Sequence, residues 1–565
     1  MYKNYKHNYP YYEVTPSNNF KEILEEHAAK DVRPAFKFKR DGEVVSVSYR
    51  EFYDDTRALG SALAKKGFGK AHCACIGPNS YEYLTAFLTM LNGDGVFVPI
   101  DKELPIEDVC RIVDDSDAEV LFYADVYEER LKAHLADIPK VKLFIGTEAK
   151  EDDDFRVAFS SMLAKGRELI EGGYDAYTSV TPADGDMKMI VYTSGTTGTP
   201  KGVMLSLHNL INSVCHGLEV STVYDVCLSV LPYHHTYEMV PGILVSLKKG
   251  ATICINESLR TVAANLKLYQ PTYIMLVPLF VESFYKKIWA NIEEKGKEKT
   301  VKNAIALSNK LLKVGIDLRS KLFKDILDVF GGRLKKIVCG GAPLREEVGR
   351  FFDAIGITLV QGYGITECSP LVAANRDYYY NFASVGNQLP CLELDIFEPN
   401  EEGDGEICVK GDVVMMGYYK QPEKTAEVLT ADGWFHTGDY GRIGEDGRLY
   451  ITGRKKNMIV LKNGKNIFPE EIEDMLSGDR AIAEVIVSGV RDESGVNEIG
   501  LAAEVYPEKE LVESKSDDEL NALIKDVIEA YNDKVPVYKK ISKVTVRKEP
   551  FDKTTSGKIK RNYNN

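Results

Sequence analysis

At 565 residues the chain exceeds what one hydrophobic core usually serves, so two or more domains are expected. With 44% hydrophobic and 28% charged residues it falls in the globular class, and a formal charge of −14 argues against a general nucleic-acid binder. No run approaches the roughly 20 apolar residues that span a bilayer, and MYKNYKHNYPYYEV lacks the apolar core of a secretory signal. A cytoplasmic protein is expected, with peripheral membrane contact and oligomeric state left open. The ten cysteines stand singly apart from Cys73 and Cys75, with no CxxC pair and no metal-ligand spacing, so buried free thiols are expected.

Along the chain, β-branched or aromatic runs alternate with longer helical patterns. HCACIGPNS reads as a buried strand entering a turn, and SYEYLTAFLTML puts Tyr81, Leu84, Phe87, Leu88 and Leu91 on one helical face. GVFVPI, EVLFYA, KMIVYT, ATICI, YIMLVP, LKKIVCG and ITLVQGYG are further strands. The alternation predicts an α/β fold: parallel-rich sheets flanked by helices, with ligands beyond the carboxyl ends of strands. Between Phe284 and Phe330 a lysine-rich helical stretch reads as a peripheral layer rather than a membrane patch, because charged helix faces are usually solvated. From about residue 386 to 453, short strands and Gly-rich turns predict a small β subdomain closing a large domain of residues 1–453. Residues 454–565 read as a small α+β domain: a helix opened by Pro469, strands AEVIVSGV and GLAAEVY, and a helix capped by Ser516 with Glu519. From Lys534 onward ten Lys/Arg face only Glu549 and Asp552, which fits a local anionic partner or a merely solvated tail.

Several segments carry residue types suited to phosphate chemistry. Tyr192–Gly202, directly after the strand KMIVY, is rich in Gly and Thr, so backbone amides and hydroxyls can surround phosphate oxygens while Lys201 adds a positive charge. It is no Walker A loop, since GK[ST] is missing. Leu231–Glu238 holds a His-x-x-Glu pair without a third metal ligand, and Gly340–Leu344 is a GGAP turn after a strand. In Gln361–Glu367, Tyr363 offers an aromatic face, Thr366 a hydroxyl and Glu367 a hard oxygen for Mg²⁺. Gly433–Asp439 presents a carboxylate suited to two ribose hydroxyls. Gly453–Lys456 and Lys553–Arg561 are basic.

The Tyr192–Gly202 stretch resembles the phosphate-loop signature of the adenylate-forming superfamily, and the other five segments follow in that family's order. Among its members the chain is most similar to bacterial long-chain fatty acyl-CoA synthetases. The resemblance implies that Thr193, Ser194, Gly195, Thr196, Thr197, Gly198 and Lys201 hold phosphates, with Thr196 and Glu367 at Mg²⁺. It implies that His235 lines the acyl and adenylate site, that Gly341 and Ala342 lie against the adenine, and that Gly362, Tyr363, Gly364 and Thr366 surround the nucleotide. Asp439 would take the ribose and Arg454 the ribose or phosphate. Lys456 falls at the family's hinge position. Lys558 would meet the substrate carboxylate and α-phosphate, where two anions join and a cation stabilises the developing charge. Lys462 and Gly464 would serve the thioester step after the C-terminal domain turns.

The implied reaction activates a carboxylic acid with ATP to an acyl-adenylate, releasing pyrophosphate, and then transfers the acyl group to CoA. DGWFHTGDYGRIGEDGRLYITGRKKNMIV resembles the segment associated with fatty acyl-CoA synthetases, but Ile443–Gly444 stands where Trp often occurs. A medium-to-long-chain fatty acid is expected, ahead of an aryl or branched acid. An acyl-carrier-protein ligase carries the same motifs. A peptide-synthetase domain is less expected, because no carrier segment follows before Asn565. A luciferase-like oxygenase would share the adenylation step. A nucleotide-binding sensor is disfavoured because Lys201, Glu367, Asp439, Arg454 and Lys558 are all present.

Overall fold

The structure, a computed structural model, describes residues 8–193, 200–462, 465–491, 498–553 and 559–561. The expected strands form, and they assemble into two large sheets. In the first, the order is Gly417–Tyr418, Lys201–Ser206, Met187–Thr193, Val96–Ile100, His72–Ile76, Ala118–Tyr123, Leu143–Gly146 and Val157–Ala158. It is parallel from Met187–Thr193 onward, and its first two strands pair antiparallel. The second sheet has nine strands, with Thr358–Gly364, Lys336–Cys339, Tyr273–Leu276, Val226–Ser229, Thr252–Ile255 and Pro34–Arg40 parallel at its centre. Strands such as Tyr273–Leu276, and Val96–Ile100 in the first sheet, are covered on both faces, which explains their unbroken apolar runs.

Tyr81, Leu84, Phe87, Leu88 and Leu91 are buried as their shared face implies, and so is the rest of the helix Tyr81–Asn92 except Glu82. The helix is packed between the two sheets. Tyr81 meets Phe36 of the second sheet at 5.7 Å between ring centroids, while Tyr83 and Phe87 meet Phe97 of the first at 5.5 and 5.1 Å. Its threonines enter this interior by bonding to their own helix: Thr85 Oγ1 donates to the Tyr81 carbonyl and Thr89 Oγ1 to that of Thr85.

The lysine-rich stretch is a peripheral layer, Pro278–Glu294 followed by Glu298–Lys313 and short turns to Phe330. Its apolar side packs Tyr285 and Trp289 on Phe351. No helix among the described residues is long and apolar enough to cross a membrane. Leu392–Phe397, Gly405–Gly411, Phe435–Ile443 and Leu449–Arg454 make a four-stranded antiparallel sheet. Beyond it, Pro469–Ser477 and Asp517–Asn532 cover a sheet of Ile482–Arg491, Glu498–Pro507 and Ile541–Val546, around a core of its own. The capping box of Ser516 and Glu519 forms as read. This unit touches the peripheral layer through Arg480 to Glu293, at 2.9 Å, and through Lys286 to Glu508.

Phe97 lies at the contact of the first sheet with the sandwiched helix and is fully buried. Phe97→Ala should cost about 3–5 kcal/mol, read as a lower denaturant midpoint at unchanged slope.

Candidate active site

A cavity of about 790 Å³ opens where the carboxyl ends of both sheets converge. Thr193, Lys201, His235, Gly341, Gly362, Tyr363, Gly364, Thr366, Glu367, Arg454 and Lys456 line it, which brings together expected residues from five separate segments. It continues inward along the strand Lys336–Cys339, past Val338 to Lys336, and along the helix Leu207–Val220, past Ser213 and Gly217 to Ser221. From Gly340 to Lys336 an extended strand covers about 13 Å, so the cavity is a channel rather than a shallow cleft.

The segment read as holding phosphates joins two strands that pair antiparallel, with Thr193 paired directly to Lys201. Ser194, Gly195, Thr196, Thr197 and Gly198 lie outside the described residues. Lys201 opens the return strand, and its ammonium sits 4.7 Å from the ring centre of Tyr418. The Tyr418 hydroxyl donates to Glu367 Oε1 at 3.0 Å. Tyr418 therefore couples a cation on one sheet to a carboxylate on the other. The sequence reading missed it, because its role depends on the pairing of Gly417–Tyr418 with Lys201–Ser206.

Asp439 and Arg454 face each other across neighbouring strands, with Arg454 Nε 2.9 Å from Asp439 Oδ1. Tyr363 donates its hydroxyl to Asp439 Oδ2 at 2.6 Å. Asp439 Oδ2 thus already accepts a hydrogen bond and Oδ1 is ion-paired to Arg454, and each oxygen keeps acceptor capacity for a further donor. Two glycines have steric reasons. Gly341 has φ +89°, and a Cβ on Gly364 would come 2.4 Å from the Pro370 carbonyl oxygen. Ala342 is exposed and is not among the residues lining the cavity. Lys456 is exposed, and its ammonium pKa is lowered by partial desolvation, then by Arg454 and by Arg561. Lys462 is exposed, donates its amide to the Glu498 carbonyl, and does not line the cavity. Gly464 and Lys558 lie outside the described residues. Lys553 and Ile559, which flank Lys558, pair in an antiparallel bridge, and Arg561 is ion-paired to Glu473.

With this geometry in place, residues 24–419 match the AMP-binding enzyme family and residues 456–564 its C-terminal domain. The chain belongs to the AMP-binding enzyme family. It is 30% identical over 495 residues to long-chain-fatty-acid–CoA ligase 5 of Mus musculus, covering 82% of this chain and 72% of that one. It is 31% identical over 486 residues to long-chain-fatty-acid–CoA ligase 1 of Homo sapiens, covering 78% and 67%. Among solved structures, an anthranilate CoA ligase in complex with anthranoyl-AMP shares the fold at a TM-score of 0.75 and 20% identity, covering 98% of this chain and 96% of that one. The family read from the sequence motifs is the family found.

The fold also gathers donors that sequence spacing did not suggest: His216, Cys391 and Asp412 offer ligand atoms within 4.8 Å of one another, at the junction with the β subdomain. All ten cysteines are free thiols, and all but Cys391 are buried.

His235 and Glu238 part company. His235 lines the cavity, and its Nδ1 accepts from the Tyr237 amide at 3.1 Å. Glu238 turns into the core, where Ser229 Oγ donates to it, and burial pushes its carboxyl up to about 8. Glu238 is then neutral in the folded protein at pH values where the unfolded chain has ionised it, so the native state binds the extra proton. Its effect is that stability falls as pH rises from about 5 to about 8 and levels off above. Glu238→Gln should remove that slope, so that the variant gains several kcal/mol over wild type between about pH 5 and about pH 8 in paired denaturant titrations.

Proposed function

We propose that this chain is an AMP-forming acid–CoA ligase that activates a medium-to-long-chain fatty acid with ATP and passes the acyl group to CoA. The observation that carries the reading is the continuity of one cavity. Its mouth holds Lys201, Glu367, Tyr363 and Arg454, and its interior is walled by Val223, Val240, Val245, Met275 and Val360. A polar mouth leading into an apolar channel suits an acid whose carboxylate must meet a nucleotide while its hydrocarbon leaves water. The long-chain ligases of mouse and human to which the chain is similar support the same substrate class.

The chemistry follows from the weakness of carboxylate as an acyl donor, since oxide is no leaving group. The carboxylate oxygen attacks the α-phosphorus of ATP, the bond to the β-phosphate oxygen breaks, and pyrophosphate departs. The CoA sulfur then attacks the acyl carbon of the mixed anhydride, the thiol proton goes to solvent, and AMP leaves. Lys201 stabilises the departing pyrophosphate, while Tyr363 packs against the adenine and Asp439 with Arg454 orients the ribose. The Glu367 carboxylate and Thr196 hydroxyl are hard oxygen donors that would hold Mg²⁺, while Thr366 offers a hydroxyl to a phosphate oxygen. The ion would supply charge neutralisation at the phosphates. Lys558 positions the attacking carboxylate. Support for its reach comes from Arg561, three residues on, which lies 3.8 Å from the Glu470 carboxylate that accepts from Asn457, next to the cavity-lining Lys456. The domain of residues 454–565 turns about Lys456 between the steps, withdrawing Lys558 and presenting the face around Lys462 and Gly464.

Pyrophosphate release with ATP, CoA and a panel of fatty acids tests the reading, and a response no greater with any acid than without one would refute it. Lys558→Ala should lower acyl-adenylate formation by roughly 10²-fold or more while thioester synthesis from supplied acyl-adenylate stays within a few-fold of wild type. Equal loss in both half-reactions would remove Lys558 from the adenylation role.

A further inference from the structure

The inner end of the cavity is built from groups that the reaction leaves unused. Lys336 begins the strand Lys336–Cys339, and its side chain is 1% exposed. Its ammonium donates to Ser221 Oγ, to the Thr222 carbonyl and to Asp377 Oδ1, which occupies all three of its protons. Asp377 is itself buried and accepts from the Ser221 hydroxyl at 2.8 Å, the Thr222 amide at 3.0 Å and the Tyr12 hydroxyl at 2.9 Å. Lys336 and Ser221 line the cavity, so this closed network is its floor.

The network is held from outside by residues 8–12, a segment without regular secondary structure. Arg376, fully buried beside Asp377, reaches three of its acceptors: Asn8 Oδ1 at 2.7 Å, the Pro10 carbonyl at 2.9 Å and the Tyr9 carbonyl. Its guanidinium also stacks on Tyr9 and Tyr11, 3.8 and 4.6 Å from their ring centres. The Tyr12 amide donates to the Glu219 carbonyl, which ties the segment to the end of the helix Leu207–Val220. The strap thus lies behind the floor, anchored to the Glu219 carbonyl and to the side chains of Arg376 and Asp377.

We infer that the Lys336–Asp377 pair, braced from outside by the strap of residues 8–12, is the end stop of the acyl channel and sets the longest chain the site accepts. This rests on the fatty-acid reading above. A buried ion pair is a poor device for stability, because its desolvation cost offsets much of the attraction, so its position at the end of an apolar channel calls for another reason. A hydrocarbon terminus that reaches it cannot displace either charge, since doing so would leave the partner buried and uncompensated. The stop is therefore abrupt. An apolar wall would yield to one more methylene by side-chain rotation.

The test uses the full-length enzyme and pyrophosphate release with straight-chain saturated acids from eight to twenty carbons. In the double variant Tyr9→Ala/Tyr12→Ala, kcat/KM for acids longer than the wild-type optimum should rise relative to the optimum acid by about tenfold, the scale on which a pocket discriminates methylenes, while KM for ATP stays constant. Ser221→Leu, which fills the floor from inside, should move the optimum to shorter acids. Should the double variant fail to fold, Tyr12→Phe removes one hydroxyl from Asp377 and should give a smaller gain in the same direction. Length profiles that superpose on wild type in the folded variants, or that fall uniformly across the panel, would overturn the stop. Wild-type enzyme that releases no pyrophosphate with any acid would instead refute the activation reading on which it rests.

Discussion

The contact on which the site depends is the one Tyr418 makes with two partners. Its ring lies under the Lys201 ammonium and its hydroxyl binds Glu367. Lys201 belongs to the eight-stranded sheet, and Glu367 follows the strand Thr358–Gly364 of the nine-stranded one. Without that bridge, the cation and the carboxylate would be two solvated charges on separate layers. With it, they face one cavity at a spacing fixed by strand pairing. The sheets can approach so closely only because the helix between them is apolar or self-satisfied around its whole circumference.

The same interior explains what could and could not be read from sequence. Strands such as Val96–Ile100 and Tyr273–Leu276 were legible because burial on both faces leaves an uninterrupted apolar run. The apolar face of the helix Tyr81–Asn92 was legible, whereas the burial of its other side was not, because Thr85 and Thr89 are polar by type yet satisfy their hydroxyls within the helix. The hairpin Pro34–Ser48 carried a readable signal in Asp41–Gly42, both at positive φ, which went unused. Site residues close together in sequence or in strand register, such as Tyr363 and Glu367 or Asp439 and Arg454, were legible through their motifs. Tyr418, Tyr12 and Lys336 were not, because their partners lie far away in the chain and only the fold chooses them.

Charge burial recurs here with different consequences. Glu238 enters the core alone and adopts the neutral form, which removes most of the cost of its burial. Asp377 enters with Lys336 and keeps its charge, held low chiefly by that ammonium against the opposing pull of burial. The difference lies in the company each carboxyl keeps. Glu238 has hydroxyl and backbone donors, whereas Asp377 has a cation within hydrogen-bonding distance.

The lysine-rich layer, set aside by its sequence as a solvated face, supplies the footing for the carboxyl-terminal unit through Lys286 and Glu293. Both bridges are solvent-exposed, of a kind worth about 0–1 kcal/mol each and weakened as salt rises. The unit is held as well by the ring of its buried Phe468 against Tyr440, 5.4 Å between centroids, a contact that salt does not screen. The peripheral helices thus add a second, weaker hold whose grip the ionic medium tunes.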